Sequence, residues 1–260
     1  MQTSTKELVF FLALAFLLGE GSRAFARNDD PEALNQQALK LYQQDKFQEA
    51  ILLEKKALAM TKRALGPDHP LTAAILNNLG RIYTDMGAYT QDMGAYAQAE
   101  PLLQQALQIN KKVWGSEHPD MTAKSLNSLA ILYETMGDYT RAESFWQQAL
   151  QIYEKALGPE HPDTAQCLAY LVRLYRTTGA YAKAEPLCQQ ALRIREKVLG
   201  PEHPDTADSL IELAFLYHDM GAYAQAEPLY QRALQNFPKG ARAREPPNRW
   251  RSQRPSRFLS

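Results

Sequence analysis

Two cysteines, thirteen glycines and no net charge show first what this 260-residue chain is not. Cys167 and Cys188 are too few to staple a chain of this length, so no disulfide framework defines it. The longest apolar run, Leu8 to Leu18, falls well short of the about twenty residues a helix needs to cross a bilayer. Lys+Arg and Asp+Glu both number 29, so the chain as a whole lacks the basic excess of a nucleic-acid binder. It has no glycine-rich phosphate loop, no H-E-x-x-H and no G-x-S-x-G, and neither cysteine lies in a nucleophile arrangement with histidine. These absences point away from an enzyme and give no cofactor a place to bind. At 45% hydrophobic and 22% charged, the composition is that of a folded chain rather than a disordered one.

The two ends differ from the middle. Residues 1–26 read as a secretory signal: Lys6, then the apolar run, then Ala24-Phe25-Ala26 as a cleavage site. The mature chain is then expected to begin at Arg27 and to work in the periplasm or outside the cell. Residues 239–260 carry seven basic side chains against Glu245 alone, a net of +6. With Pro246-Pro247 and no apolar period, this tail reads as disordered. Its arginines allow contact with an anionic membrane; export argues against nucleic acid. The tail reads rather as an unevolved end, a longer array truncated or shifted in frame, because no polar capping helix is read after repeat five.

What the chain does have is a repeat. His-Pro occurs at His69-Pro70, His118-Pro119, His161-Pro162 and His203-Pro204, at steps of 49, 43 and 42 residues. The 43 contains one extra residue, Met121. The 49 contains a seven-residue tandem duplication, Asp85 to Gln91 followed by Asp92 to Gln98. The copied Gly and Tyr are expected to bulge as a longer turn. In each unit apolar residues recur every three or four positions on both sides of a turn glycine such as Gly179, which predicts two amphipathic helices. Pro162 suits the first helical position and Asp163 the positive end of the helix dipole. Gly200 and Pro201 close the second helix. Small residues (Gly80, Ala130 and Ala214 on first helices, Ala142 and Ala149 on a second) allow close helix contact. Repeat one diverges, with Asp45 for the turn glycine and Phe47 for the tyrosine, while Ala38, Ala50 and Ala57 keep register.

The histidines read as turn and cap residues. A shared metal is rejected, because equivalent residues of stacked repeats stand too far apart to converge on one ion. Cys167 and Cys188 fall at packing positions and read as buried thiols. A clip between them would need Cα atoms within about 7 Å.

The segments L-N-N-L-G-x-I-Y around Asn77 to Tyr83 and L-N-S-L-A-x-L-Y around Asn127 to Tyr133, with A-E-P-L and G-P-E-H-P-D-T, carry a resemblance. The chain resembles the tetratricopeptide repeat, in the 42-residue form of kinesin light chains and many bacterial proteins. The resemblance covers residues 31–238 as five units. It implies an all-α, right-handed superhelical solenoid whose first helices line a concave face for a partner peptide or helix.

Transferred to this sequence, the family's groove positions are Asn77 and Arg81 in repeat two, with Thr84 beside them, and Lys124, Asn127, Ile131 and Glu134 in repeat three. In repeat four they are Gln166, Arg173 and Arg176, and in repeat five Asp208, Ile211, Phe215 and His218. Asn77 and Asn127 can bond a ligand backbone, but Ala169 and Ile211 interrupt that polar ladder. Arg173 and Arg176 beside Phe215 lead us to expect a preference for an acidic segment with an apolar anchor.

The function that follows is a non-catalytic scaffold for a protein or peptide. Two alternatives stand beside it: an orphaned fragment of a larger signalling or protease-associated protein, and a self-assembling structural protein. The second draws on the last helix, about 224–236, where Leu229 and Leu234 are expected to be partly uncovered because no polar capping helix follows.

Overall fold

A computed structural model describes residues 30–115 and 118–236. The signal-like segment and the basic tail lie outside the described residues. Ten helices and no strand are present among the described residues. They are α1 (Pro31–Tyr42), α2 (Phe47–Ala64), α3 (Pro70–Thr90), α4 (Met93–Trp114), α5 (Pro119–Thr135), α6 (Tyr139–Ala156), α7 (Pro162–Thr177), α8 (Tyr181–Leu199), α9 (Pro204–Asp219) and α10 (Tyr223–Asn236). Each helix packs on the next, forming five hairpins stacked in chain order. The odd-numbered helices also touch one another, α3 against α5 and α7 against α9, so they form a shared face. That stacking is what lets units with one apolar stripe each bury a continuous core.

The His-Pro steps begin helices, as their chemistry predicts. Nδ1 of His69, His161 and His203 accepts the backbone N–H two residues on, each at 3.1 Å. Proline then occupies a position whose N–H would have no intrahelical partner. One turn later, the hydroxyls of Thr72, Thr164 and Thr206 donate to the carbonyls of Gly66, Gly158 and Gly200, tying each first helix to the end of the preceding one. The extra Met121 changes this arrangement in repeat three. His118 makes no side-chain cap bond, its φ moves to −129°, and Met121 is buried instead.

Signature residues also strap the stack together. Tyr133, Tyr175 and Tyr217 on first helices donate to Glu100, Glu143 and Glu185 of the preceding second helix, at 2.6, 2.7 and 3.0 Å. Each of these glutamates follows the alanine of its second helix, Ala99, Ala142 or Ala184, all fully buried. Inside the stack Asn110 donates to Ser125 at 2.8 Å, and one repeat pair later Arg195 donates to Ser209 at the same distance. Cys167 and Cys188 are free and buried, and burial pushes both thiols up to about 12.

The duplication corrects one expectation. It forms no bulge. The first copy continues α3, the second begins α4, and the turn falls between them at Gln91-Asp92. These two helices reach 21 and 22 residues, against 19 for the next longest. Seven residues make nearly two helical turns, so lengthening a helix by that much keeps its buried face inward. Met86 and Gly87 stay buried, and the Tyr96 ring lies so close to Gly87 that an added Cβ would stand 2.6 Å from it. A bulged turn would expose that surface. Gln91 takes the left-handed conformation (φ 55°), and Asp92 caps α4 by accepting the Gly94 N–H at 2.8 Å. Tyr89 and Met93 protrude at the tip.

Candidate partner-binding groove

The shared face of the odd-numbered helices brings together five of the thirteen residues transferred from the family pattern. Asn77 and Arg81 from α3 meet Lys124, Asn127 and Ile131 from α5, with Ser128 and Tyr170 completing the lining. The cleft holds only about 20 Å³ of space for water-sized groups, far below the several hundred Å³ of a cofactor pocket. It suits side chains or backbone of a segment laid across it.

The polarity of the cleft is unusual. Asn77 is 1% exposed, yet its Oδ1 has no hydrogen-bond partner, and the Oδ1 of Asn127 is likewise buried and unpartnered. Buried carbonyl oxygens are normally paired, because leaving one unpaired costs about 1–3 kcal/mol. These two acceptors lie in one cleft, beside two cationic side chains. Lys124 pairs with Asp120 one helical turn away at 3.4 Å. Thr84 does not join them, since its hydroxyl donates to the Gly80 carbonyl within α3.

Tyr170 and Ser128 were missed in the sequence. The Tyr170 ring stacks on Trp146 at 5.8 Å and 15°, a contact across repeats that one repeat's pattern does not contain. The tyrosine just before Leu171 was its only visible signal.

The C-terminal half of the groove differs from expectation. Arg173 and Arg176 do not add unbalanced positive charge. Arg173 forms two bonds with Glu134. Arg176 pairs with Glu212 at 3.0 Å and with Asp219 at 2.9 Å, its guanidinium 5.2 Å from the Phe215 ring centre. Glu134 is itself a transferred position, and Glu212 and Asp219 follow Asp208 and Phe215 by four residues, so the attraction expected there for an acidic segment is already met within the array. Gln166 is similarly engaged, accepting from the buried Arg195 at 2.7 Å. Ile211 is buried, Asp208 is exposed, and His218 packs edge-on against Tyr223. Among the described residues no group of three or more His, Cys, Asp or Glu could hold a metal ion, and no helix is long and apolar enough to cross a membrane.

The tetratricopeptide repeat family model matches residues 29–91, 81–145, 121–187 and 169–239, nearly the whole described chain. The chain belongs to the tetratricopeptide repeat family. Among solved structures it is similar to the nearly identical TPR-like repeats of a Podosopora anserina protein of kinesin light chain type. That match has 29% identity and a TM-score of 0.67, covering 81% of this chain and 96% of that one. BtubC (BKLC) from P. vanneervenii has the same fold at 24% identity and TM-score 0.66, covering 97% and 96%. The apo form of RapI does so at 15% and 0.64, covering 87% and 58%. No curated protein matches in sequence. Tetratricopeptide repeat proteins generally mediate protein–protein interaction, and arrays of the kinesin-light-chain kind are generally non-enzymatic.

Proposed function

We propose that this array is a scaffold that holds an extended segment of a partner protein across α3, α5 and α7. The observation that carries this is the pair of buried, unpartnered acceptors, Asn77 Oδ1 and Asn127 Oδ1, in the cleft that the first helices form. An extended backbone presents N–H donors along one edge, the groups these two acceptors lack. Ile131 with Tyr170 offers the segment an apolar contact. Selecting segments from a displayed peptide library on the full chain, then mapping hydrogen exchange, tests this. Protection on α3, α5 and α7 supports it; protection confined to α9 and α10, or to the outer helices, contradicts it.

The run from Lys6 to Ala26 supports work outside the cytosol. N-terminal sequencing of the mature protein tests this, with Arg27 as the expected first residue.

The last repeat supports a second contact, between two copies. Leu234 is 63% exposed, where its equivalents Leu107 and Leu192 are 9% and 8% exposed and Leu58 and Leu150 are partly buried inside the stack. The other end is polar. Gln37 and Lys40 on α1 stand where the four later first helices bury Leu79 and Ile82, Leu129 and Leu132, Leu171 and Leu174, or Leu213 and Leu216. Self-association is therefore tail to tail rather than head to tail. Light scattering of the native chain and of Leu234→Glu tests it: a dimer lost in the variant supports the contact, and a monomer at all concentrations rejects it.

A further inference from the structure

One position breaks the rule by which the second helices pack. Across the stack, Leu103, Trp146, Cys188 and Tyr230 pack from α4, α6, α8 and α10 against the first helices. In α2 the equivalent residue is Glu54. It is fully buried at 0% exposure, and neither carboxyl oxygen has a hydrogen-bond partner. Four equivalent sites in the same chain accept an uncharged side chain, so the fold does not require an acid here.

The surroundings of Glu54 are polar but uncharged. Asn78 on α3 is 3% exposed, and its Nδ2 donates to Oδ1 of Asn35 on α1 at 2.9 Å. Its own Oδ1 is buried and unpartnered. The Asn78 side chain also acts on the Glu54 carboxyl and lowers its pKa, against the larger raising effect of burial. Neither the Glu54 carboxyl oxygens nor the Asn78 carbonyl has a hydrogen-bond donor among the described residues. A proton on the carboxyl removes the cost of burying its charge. A charged carboxylate has no cation here to offset its burial: α1 offers Asn35, α3 offers Asn78, and only burial and Asn78 act on Glu54.

We propose that Glu54 is a buried proton-binding site, and that its neutral form lets the Asn78–Asn35 bond latch the first repeat onto the second. The three residues lie on α2, α3 and α1, where both helices of repeat one meet the first helix of repeat two. Asn35 has the same repeat position as the groove residues Asn77 and Asn127, but its acceptor is used by the latch. Burial holds the Glu54 carboxyl well above its ordinary value of 4.5. A raised acid contributes stability that is fully present below 4.5 and is lost as pH rises toward the folded-state value. The latch is therefore closed in the protonated state and weakened by alkali. This inference does not depend on the groove reading.

The test compares the full native chain with Glu54→Gln, which keeps the size of the side chain and cannot ionise, by chemical denaturation from about pH 4 to about pH 8. Relative to Glu54→Gln, the unfolding constant of the native chain should rise with pH above 4.5, by up to about tenfold per pH unit. An infrared carbonyl band from a protonated carboxyl should be present in the native chain at neutral pH and absent from the variant. Parallel pH profiles, or no such band at neutral pH, would overturn the proposal. Glu54→Leu, which copies Leu103, serves if Glu54→Gln fails to fold; the infrared band of the native chain decides if both fail.

Discussion

Arg173 on α7 donates from Nε to Glu134 Oε1 on α5 at 3.1 Å and from Nη2 to the other carboxyl oxygen, a forked pair joining the first helices of repeats three and four. Sequence register presents both residues as ligand contacts; the structure spends them on the stack. The side chains keep 27% and 18% exposure, so the pair is weaker than a fully buried one. Arg173→Ala should lower stability by about 1–2 kcal/mol. A double-mutant cycle with Glu134→Ala, read by denaturation, should show most of that loss as coupling. Additive single effects would mean that the pair contributes nothing.

Gly80 should not tolerate alanine. A Cβ there would stand 2.6 Å from Leu103 Cγ and 3.3 Å from the Ala99 carbonyl oxygen. Alanine normally improves a helix by about 1 kcal/mol over glycine. Here overpacking should outweigh that gain and leave Gly80→Ala less stable by about 1–3 kcal/mol. Thermal unfolding gives the sign directly, and adding Leu103→Ala should cost less in the Gly80→Ala background than in the native one.

Two histidines in the same motif should behave differently. His69→Ala removes a cap bond and should cost about 1 kcal/mol, whereas His118 makes no such bond. Burial lowers the His69 pKa from its ordinary 6.5. The folded state thus prefers the neutral ring, and its contribution is present above 6.5 and lost as pH falls through the lower folded value. Denaturation of both variants on either side of that range should show the His69 gap narrowing in acid.

Cys167 and Cys188 should resist thiol reagents while the chain is folded. Both are buried, with pKa values pushed up to about 12, so little thiolate forms at neutral pH. Labelling followed by mass spectrometry should find both unmodified in the native state and both modified in denaturant.

The sequence made the array readable because its signals are local and repeated. His-Pro, the small residues and the turn glycines each act within one helix or one hairpin, and even Asp45, which replaces a turn glycine, takes the same left-handed φ of 59°. The outcome of the duplication is not legible in turn chemistry because it depends on burial: a lengthened α3 keeps Gly87 under the Tyr96 ring. The candidate groove was half legible. Family register identifies which first-helix positions can face a ligand, but not which of them neighbouring helices already occupy. Glu134, Glu212 and Asp219 therefore changed the meaning of Arg173 and Arg176. The Glu54 cluster was invisible for a related reason, since its three residues come from three helices.

The most direct test of the groove reading is calorimetric titration of a library-selected segment into the native chain, Asn127→Ala and Arg176→Ala, with the folded state of each checked beforehand. If Asn77 and Asn127 hold the segment's backbone, Asn127→Ala should weaken binding by about tenfold or more, a loss of about 1.4 kcal/mol, while Arg176→Ala should leave it nearly unchanged. Native affinity in Asn127→Ala, with a large loss in Arg176→Ala, would contradict the account and return the site to repeats four and five.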